Sequence, residues 1–492
     1  MALLSIDVGT TGVTALAVGV DGGVLSKGYV EFPQYFPADG WVEHDLGEIW
    51  SATLAAVGAA LAASPEPVTA VGMTNQRETV CFWDSETMGS PRRAIVWQDR
   101  RTSAYCQEFI DAGHQPRVRD LTGLRLDPYF SATKITWVRH HDPDTWAGVE
   151  SGRILIGTID SYLVARMSRG LHHVTDHTNA SRTLLYDIHR GVWSQELCDL
   201  FEVPIDALPT IVASYGAIGR TDPATFLGMD VPIAGIAGDQ QSALVGQGGF
   251  NTGDAKCTYG TGSFLLLNTG TTCVPAPQGL LTTVALGHPD GTRTFAVEGS
   301  IFVTGAAVQW LRDGLGIIES ARDIEQLAAS VPNSGGVVFV PALTGLGAPT
   351  WDPDARGLII GIQRGTTAAH LARATLEGIA FQVADVVELA RSDAHITLNR
   401  LSVDGGAAAN DLLCQIQADV VGIPVDRPVN LETTGIGAAY LAGLGTGVWS
   451  SAEELSHVTA VDATFNPGTS IDEHHRALWD CAVGRAGGWA NI

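Results

Sequence analysis

The chain has 492 residues, 45% of them hydrophobic and 17% charged, which is enough apolar material for two or more cored domains and excludes a disordered chain. With 53 acidic against 29 basic residues the net charge is −24, which excludes a nucleic-acid backbone or an anionic membrane as the main partner. Any anionic substrate would depend on local positive groups. Seven cysteines, at 81, 106, 198, 257, 273, 414 and 481, form no CxxC pair and are odd in number, so they read as free thiols of a reducing, cytoplasmic compartment. The N-terminus has no basic region, and its apolar stretch meets Asp7 at once, so no signal peptide is expected. No run is expected to reach the ~18 apolar residues of a membrane span.

In chain order, Ala2 to Ile6 is a short apolar run followed by Asp7-Val8-Gly9-Thr10-Thr11-Gly12 and then Val13 to Val20, a β-hairpin with an open turn. Asp45-Leu46-Gly47-Glu48 is a capping-box-like helix start, with Leu46, Ile49, Trp50, Leu54, Val57 and Leu61 on one apolar face. Pro67 to Thr74 reads as a strand running into Asn75-Gln76-Arg77-Glu78, and Val231 to Gly238 as one ending in Asp239-Gln240-Gln241. Ala255 to Ser263 (AKCTYGTGS), followed by Phe264 to Leu267, repeats the opening hairpin, with Gly260-Thr261 on Gly9-Thr10. His370 to Leu389 reads as a helix with Leu376, Ile379, Ala380 and Val383 inward, and Leu401 to Val403 as a strand ending in Asp404-Gly405-Gly406. Strands alternating with helices predict α/β sheets with ligands at the strand ends. A repeat at half the chain length predicts two related domains, 1–248 and 249–492, with a cleft between them.

Asp7-x-Gly9-Thr10-Thr11 has the parts of a phosphate turn. Glycine permits close backbone approach, and successive N–H groups and hydroxyls hold phosphate oxygens. A carboxylate there would repel phosphate unless a divalent cation bridges them, so Asp7 points to Mg²⁺; the bland alternative is an ordinary hairpin turn. There is no GxxxxGK[ST], and no GxGxxG follows the first strand. Asp239, at a strand end, suits a general base taking a proton from a hydroxyl that attacks phosphorus, or a helix N-cap. Arg77 and Glu78 form either a donor–acceptor pair at a strand end or a surface ion pair. Trp97, Tyr129 and Phe264 alone would read as core or rim aromatics. His172, His173, Asp176 and His177 have near-ligand spacing, but no matching cysteine or glutamate cluster accompanies them, so zinc is not expected.

Taken together, GWVEHDLGEIW (40–50), GMTNQRET (72–79), AIVWQDRR (94–101), TGLRLDPYFSATK (122–134), TDHTNASRTLLYDIH (175–189), GIAGDQQSALVGQ (235–247), TYGTGSFLLLNTG (258–270), VTGAAVQWLRD (303–313), PALTGLGAPTWDPDARG (341–357) and VDGGAAAN (403–410) resemble the FGGY family of sugar kinases, specifically its glycerol-phosphorylating members. The resemblance runs almost end to end. It implies two ribonuclease H-like domains of the actin and hexokinase type flanking a catalytic cleft. It implies ATP-dependent phosphorylation of glycerol to sn-glycerol 3-phosphate, with Asp239 as general base and Mg²⁺ at Asp7 and Asp239. Carried over residue by residue, Arg77, Glu78, Tyr129, Asp239 and Gln240 would hydrogen-bond glycerol, and Trp97 and Phe264 would cover its carbon side. Thr10, Thr11 and Gly12 would face the transferring phosphoryl group, and Thr261, Gly305, Gln309, Gly406 and Asn410 would bind ATP. A homo-oligomer, dimer or tetramer, is also implied.

The first turn departs from the family's usual Asp-Gln-Gly-Thr-Thr-Ser-Ser-Arg: the arginine is Thr14 and the first serine Gly12, and Lys256 or another cation is expected to compensate. The segment Tyr215 to Asp230 lacks both the glycine-lysine loop that binds fructose 1,6-bisphosphate in some relatives and a histidine for phosphorylation, so neither control is expected. The competing readings are a kinase for another polyol or sugar, such as erythritol or xylulose, and an ATP-dependent binding protein that keeps the fold.

Overall fold

The computed structural model describes residues 1–394, 396–456, 458–468 and 473–491. Its first sheet contains β1 (Ala2–Val8), β2 (Gly12–Gly19), β3 (Val24–Glu31), β4 (Val68–Asn75), β5 (Tyr215–Arg220) and β6 (Pro232–Gly238), in the order β5-β6-β4-β1-β2-β3. The hairpin partners are antiparallel, whereas β4 runs parallel to both β1 and β6. The second sheet contains β7 (Ala255–Tyr259), β8 (Ser263–Gly270), β9 (Leu281–Gly287), β10 (Arg293–Ile301), β11 (Leu401–Asp404), β12 (Val425–Pro428) and β13 (Val461–Phe465), in the order β9-β10-β8-β7-β11-β12-β13. The series β3-β2-β1-β4-β6 therefore recurs as β10-β8-β7-β11-β12, with the same two antiparallel and two parallel neighbours. The expected repeat is real, although the second turn is one residue shorter. Val8 pairs with Val13, whereas Tyr259 pairs with Ser263.

Helices cover the sheets where the chain supplies small residues. α1 (Leu46–Ala63) starts on Asp45, whose Oδ1 accepts the N–H groups of Gly47 and Glu48. The capping box is half made, because Glu48 instead accepts the Tyr35 hydroxyl. The buried stripe of α1 is Leu46, Ile49, Trp50, Thr53, Ala56, Val57 and Ala60; Leu54 and Leu61, expected on that face, sit at its margin. The cause is close approach: a Cβ at Gly28 of β3 would stand 2.1 Å from the Ala56 carbonyl oxygen, so small residues must face the sheet. With a single acidic residue and a mean hydropathy of 1.4, α1 is also long and apolar enough to cross a membrane, contrary to the sequence expectation; here it lies along the first sheet.

On the second sheet, α4 (Ala368–Ala394) buries Leu376, Ile379, Ala380 and Val383 as expected, together with Leu413, Cys414 and Ile416 of α5 (Asp411–Val421). α6 (Thr433–Thr446) lies in the chain between β12 and β13 of the second sheet yet packs on the first, against β4, β6 and α2 (Asp239–Gly246). A Cβ at Gly72 would lie 1.9 Å from the Ala438 carbonyl oxygen, and one at Gly437 1.8 Å from that of Ser242. All seven cysteines are free; five are buried, Cys273 is half-buried and Cys481 exposed.

Candidate active site

The carboxyl ends of β1, β4, β6, β7 and β11 converge on one region, which is where open α/β sheets bind ligands. After β1 the chain turns through Gly9, Thr10 and Thr11, closed by a Gly9 N–H to Gly12 carbonyl bond of 3.0 Å. Gln76, just past β4, fastens this turn with its backbone N–H to the Val8 carbonyl (2.8 Å) and its side-chain amide to the Gly9 carbonyl (2.9 Å). The N–H groups of Thr10 and Thr11 make no hydrogen bond among the described residues, so they remain available to an oxyanion. Gly12 is buried, and a Cβ there would meet the Tyr29 ring and the Val30 carbonyl at 2.9 Å, which accounts locally for glycine at this position.

Asp7, the penultimate residue of β1, has no hydrogen-bond donor on its carboxylate among the described residues. Burial, then the carboxylates of Asp239 and Glu432, push it up to about 8. Lys27 offsets this only in part, and two carboxylates close enough to repel, Asp7 having no hydrogen-bond donor among the described residues, form a donor set suited to a hard divalent cation. Among the described residues no cluster of three or more His, Cys, Asp or Glu offers a preformed metal cage. His173 donates to the Ile156 carbonyl (2.9 Å), His177 meets the Tyr186 hydroxyl (2.7 Å), and Asp176 caps the turn His177–Ala180.

Asp239 directly follows β6, as expected, and is the first residue of α2, with Gly238 rather than Asp239 as the N-cap. Its Oδ1 accepts the Gln240 N–H (2.7 Å) and lies 3.1 Å from Arg77 Nε; the side chain is 29% exposed. Arg77 and Glu78 lie just past β4, where the chain reverses: Glu78 has φ +65°, and its carbonyl is held by the Ser131 hydroxyl (2.9 Å). That reversal is what lets neighbouring residues serve one site.

Both side chains belong to a buried ion network. Arg77 donates Nη1 and Nη2 to the two carboxylate oxygens of Glu298 (2.7 and 3.0 Å) and Nη1 also to Gln241 (3.2 Å). Arg182 donates Nε to Glu78 (2.6 Å) and Nη2 to Glu298 (3.1 Å), while its buried Nη1 has no partner among the described residues. The order is thus Asp239, Arg77, Glu298, Arg182, Glu78, alternating in sign, with Asp239 as the wet end. Burial alone would raise Glu298, but Arg182 and Arg77 outweigh it and hold it at about 2. At Glu78 burial outweighs the arginines, and its carboxyl is raised. Glu298 and Arg182 were not picked out from the sequence. The available signal was a lone charge inside an apolar or small-residue run, FAVEGSIF and TNASRTLL, because a charge is fully buried only when paired.

An aromatic wall flanks this network. Trp97 packs edge-on against Tyr129 (5.6 Å between centroids) and Phe264 (6.4 Å), and Tyr129 lies over Arg182 (5.6 Å). Gln240 is buried and accepts a hydrogen bond from Lys256, which also donates to Thr258 (2.8 Å). Lys256 therefore sits buried at the base of the second turn, while Thr14 stands in the β1–β2–β3 ladder opposite Asp7 and Tyr29.

The residues expected at the nucleotide gather around the second turn and β11. Exposed Thr261 gives its carbonyl to the N–H groups of Thr304 (2.9 Å) and Ala306 (3.2 Å), and Gly305 opens α3 (Gly305–Asp313) against the Gly260 carbonyl (3.0 Å). A Cβ at Gly305 would lie 2.7 Å from that oxygen. Gln309 is exposed on α3 and Gly406 is exposed beyond β11. Asn410 caps α5 through Oδ1 to the Leu413 N–H (2.8 Å).

Comparison with known proteins agrees with this layout. Residues 2–246 match the N-terminal domain of the FGGY family of carbohydrate kinases and residues 255–446 its C-terminal domain. The chain is 50% identical over 99% of both lengths to the glycerol kinase of Symbiobacterium thermophilum, and 51% identical over 99% of its own length and 98% of the relative's to that of Dechloromonas aromatica. Among solved structures it superposes on Plasmodium falciparum glycerol kinase with ADP at a TM-score of 0.91 and 34% identity, covering 99% of this chain and 98% of that one. With both halves matched and full-length relatives at about half identity, the chain belongs to the FGGY family of carbohydrate kinases.

Proposed function

We propose that this kinase transfers the γ-phosphoryl group of ATP to a terminal hydroxyl of glycerol, giving sn-glycerol 3-phosphate, with Asp239 as general base. The observation that carries this reading is the Asp239 carboxylate: partly exposed, at the start of α2, and oriented by Arg77 Nε at 3.1 Å. Glycerol is a small neutral triol, so its affinity must come from paired hydroxyls. Arg77, Glu78, Tyr129, Asp239 and Gln240 supply donors and acceptors, and Trp97 and Phe264 the apolar wall. A site built this way rejects an analogue lacking a hydroxyl, because its buried polar groups would go unpaired.

The transfer needs in-line placement and charge neutralisation rather than covalent chemistry. The free N–H groups of Thr10 and Thr11, with Gly12 beside them, suit the transferring phosphoryl oxygens; Thr261, Gly305, Gln309, Gly406 and Asn410 would hold the nucleotide. Asp7 and Asp239 would hold Mg²⁺, which supplies charge neutralisation at the phosphates. In this reading residues 1–248 bring the substrate and the first phosphate turn, and residues 249–492 the adenine nucleotide. Closure of the two halves excludes water that would otherwise take the phosphoryl group. The enzyme would work in the cytoplasm, as a dimer or tetramer.

The test is ADP release coupled to a reporter, with ATP, Mg²⁺ and a panel of glycerol, erythritol and xylulose, and Asp239→Asn as control. Glycerol should have the highest kcat/KM and the variant should lose about 10³-fold or more in kcat. A higher kcat/KM for a four- or five-carbon substrate, or an undiminished variant, overturns the reading.

A further inference from the structure

We propose that Glu298, on β10 of the second sheet, is a positioning residue for the acceptor site, fixing the plane of the Arg77 guanidinium so that its Nε–H meets Asp239. This rests on the role given to Asp239 above. Glu298 is fully buried and takes both terminal nitrogens of Arg77, at 2.7 and 3.0 Å, in the two-pronged geometry that sets the plane of a guanidinium. Its Oε1 also accepts Arg182 Nη2 (3.1 Å) and the Ser300 hydroxyl (3.3 Å), so the carboxylate cannot rotate without breaking several bonds. With both N–H groups of Nη1 and one of Nη2 so held, Arg77 meets Asp239 through Nε at 3.1 Å, and the second oxygen of Asp239 stays clear for a substrate hydroxyl.

Without the Glu298 charge, Arg77 and Arg182 become two buried cations sharing Glu78. The nearest further carboxylate to Arg77 is Asp239, and a two-pronged pair between them would occupy both oxygens of the base. Glu298 also stands on the half of the chain that carries the second phosphate turn, whereas Arg77, Arg182 and Asp239 belong to the other half. The alignment of the base is therefore tied to contact between the halves.

The test compares Glu298→Gln and Glu298→Asp with the parent, measuring kcat, KM for glycerol and KM for ATP on folded, gel-filtered enzyme. Glu298→Gln should lose about 30-fold or more in kcat/KM for glycerol while KM for ATP moves less than about twofold, and Glu298→Asp, which keeps the charge, should recover to within about fivefold of the parent. Loss spread equally over both substrates, or kinetics like the parent's, overturns the proposal. If Glu298→Gln does not fold, Glu298→Asp decides alone: its shorter side chain should cost glycerol terms only, and a change in KM for ATP of the same size counts against it. Parent activity in the same assay keeps this outcome separate from the substrate assignment. Should the parent prefer another polyol, the comparison is run on that polyol.

Discussion

The indole Nε1–H of Trp97 donates to the Thr10 hydroxyl at 3.0 Å, joining the apolar wall of the acceptor site to the first phosphate turn. Thr10 is thereby oriented by the same ring that packs against Tyr129 and Phe264. Trp97→Phe keeps most of the apolar surface and removes the donor. Because the lost bond orients a phosphoryl-facing hydroxyl, kcat and kcat/KM for glycerol should fall together, by about 5–20-fold, with KM for glycerol changing less than about threefold. Steady-state kinetics with glycerol varied at saturating ATP checks this; a pure rise in KM would assign Trp97 to the wall alone.

Asp7 is the complementary case, a carboxylate with no protein donor among the described residues and acidic neighbours that repel it. Asp7→Asn removes a charge that, Lys27 apart, no protein group stabilises. The Mg²⁺ concentration for half-maximal activity should rise about tenfold or more, and the rise in Tm on adding Mg²⁺ with ADP should shrink. A variant that keeps both responses removes Asp7 from the metal site.

Two glycines make opposite predictions about stability. Gly72→Ala would place a methyl group 1.9 Å from the Ala438 carbonyl oxygen, on backbone that cannot give way without lifting α6 off β4. It should cost about 3 kcal/mol or more. Gly58, inside α1, has no atom within 4 Å of a built Cβ, so Gly58→Ala should gain about 0.5–1 kcal/mol from helix propensity. Urea midpoints of the two variants against the parent decide both.

Local signals carried most of this site. The two hairpin turns, the strand running into Gln76-Arg77-Glu78 and the one running into Asp239 are written in runs of a few residues, and each strand formed close to where its apolar run predicts. What the runs cannot express is pairing over long separations. Glu298 meets Arg77 across 221 positions, and Arg182 meets Glu78 across 104. The same limit applies to α6, whose glycines and alanines read as an unremarkable apolar helix until Gly72 is seen to leave room for Ala438. On α1 Leu54 and Leu61 mislead, because the close approach of Gly28 to Ala56 leaves them at the margin, while Leu46, Ile49 and Trp50 lie on the buried face as expected.

Acid sensitivity follows from His44. Its ring is fully buried, edge-on to Phe32 at 5.0 Å, with Nδ1 near the Gln76 amide (3.4 Å) that fastens the first turn. Burial holds it at about 4, against 6.5 for the exposed side chain. Between those values the unfolded chain binds a proton that the folded chain does not, so stability rises with pH across the window. The contribution of His44 is fully present above 6.5 and is lost as pH falls toward 4. Burial gives His177 the same behaviour, also at about 4. Asp160 and Asp385, raised by burial to about 6, act in the opposite direction, since their folded forms hold protons that the unfolded chain releases. The informative quantity is therefore the difference between parent and His44→Gln at each pH, not the parent's slope alone. Between pH 7 and 4.5 the parent should lose on the order of 1–3 kcal/mol more than His44→Gln. Denaturant midpoints at the two pH values measure this, and parallel losses in both proteins would mean that the His44 ring accepts its proton without unfolding.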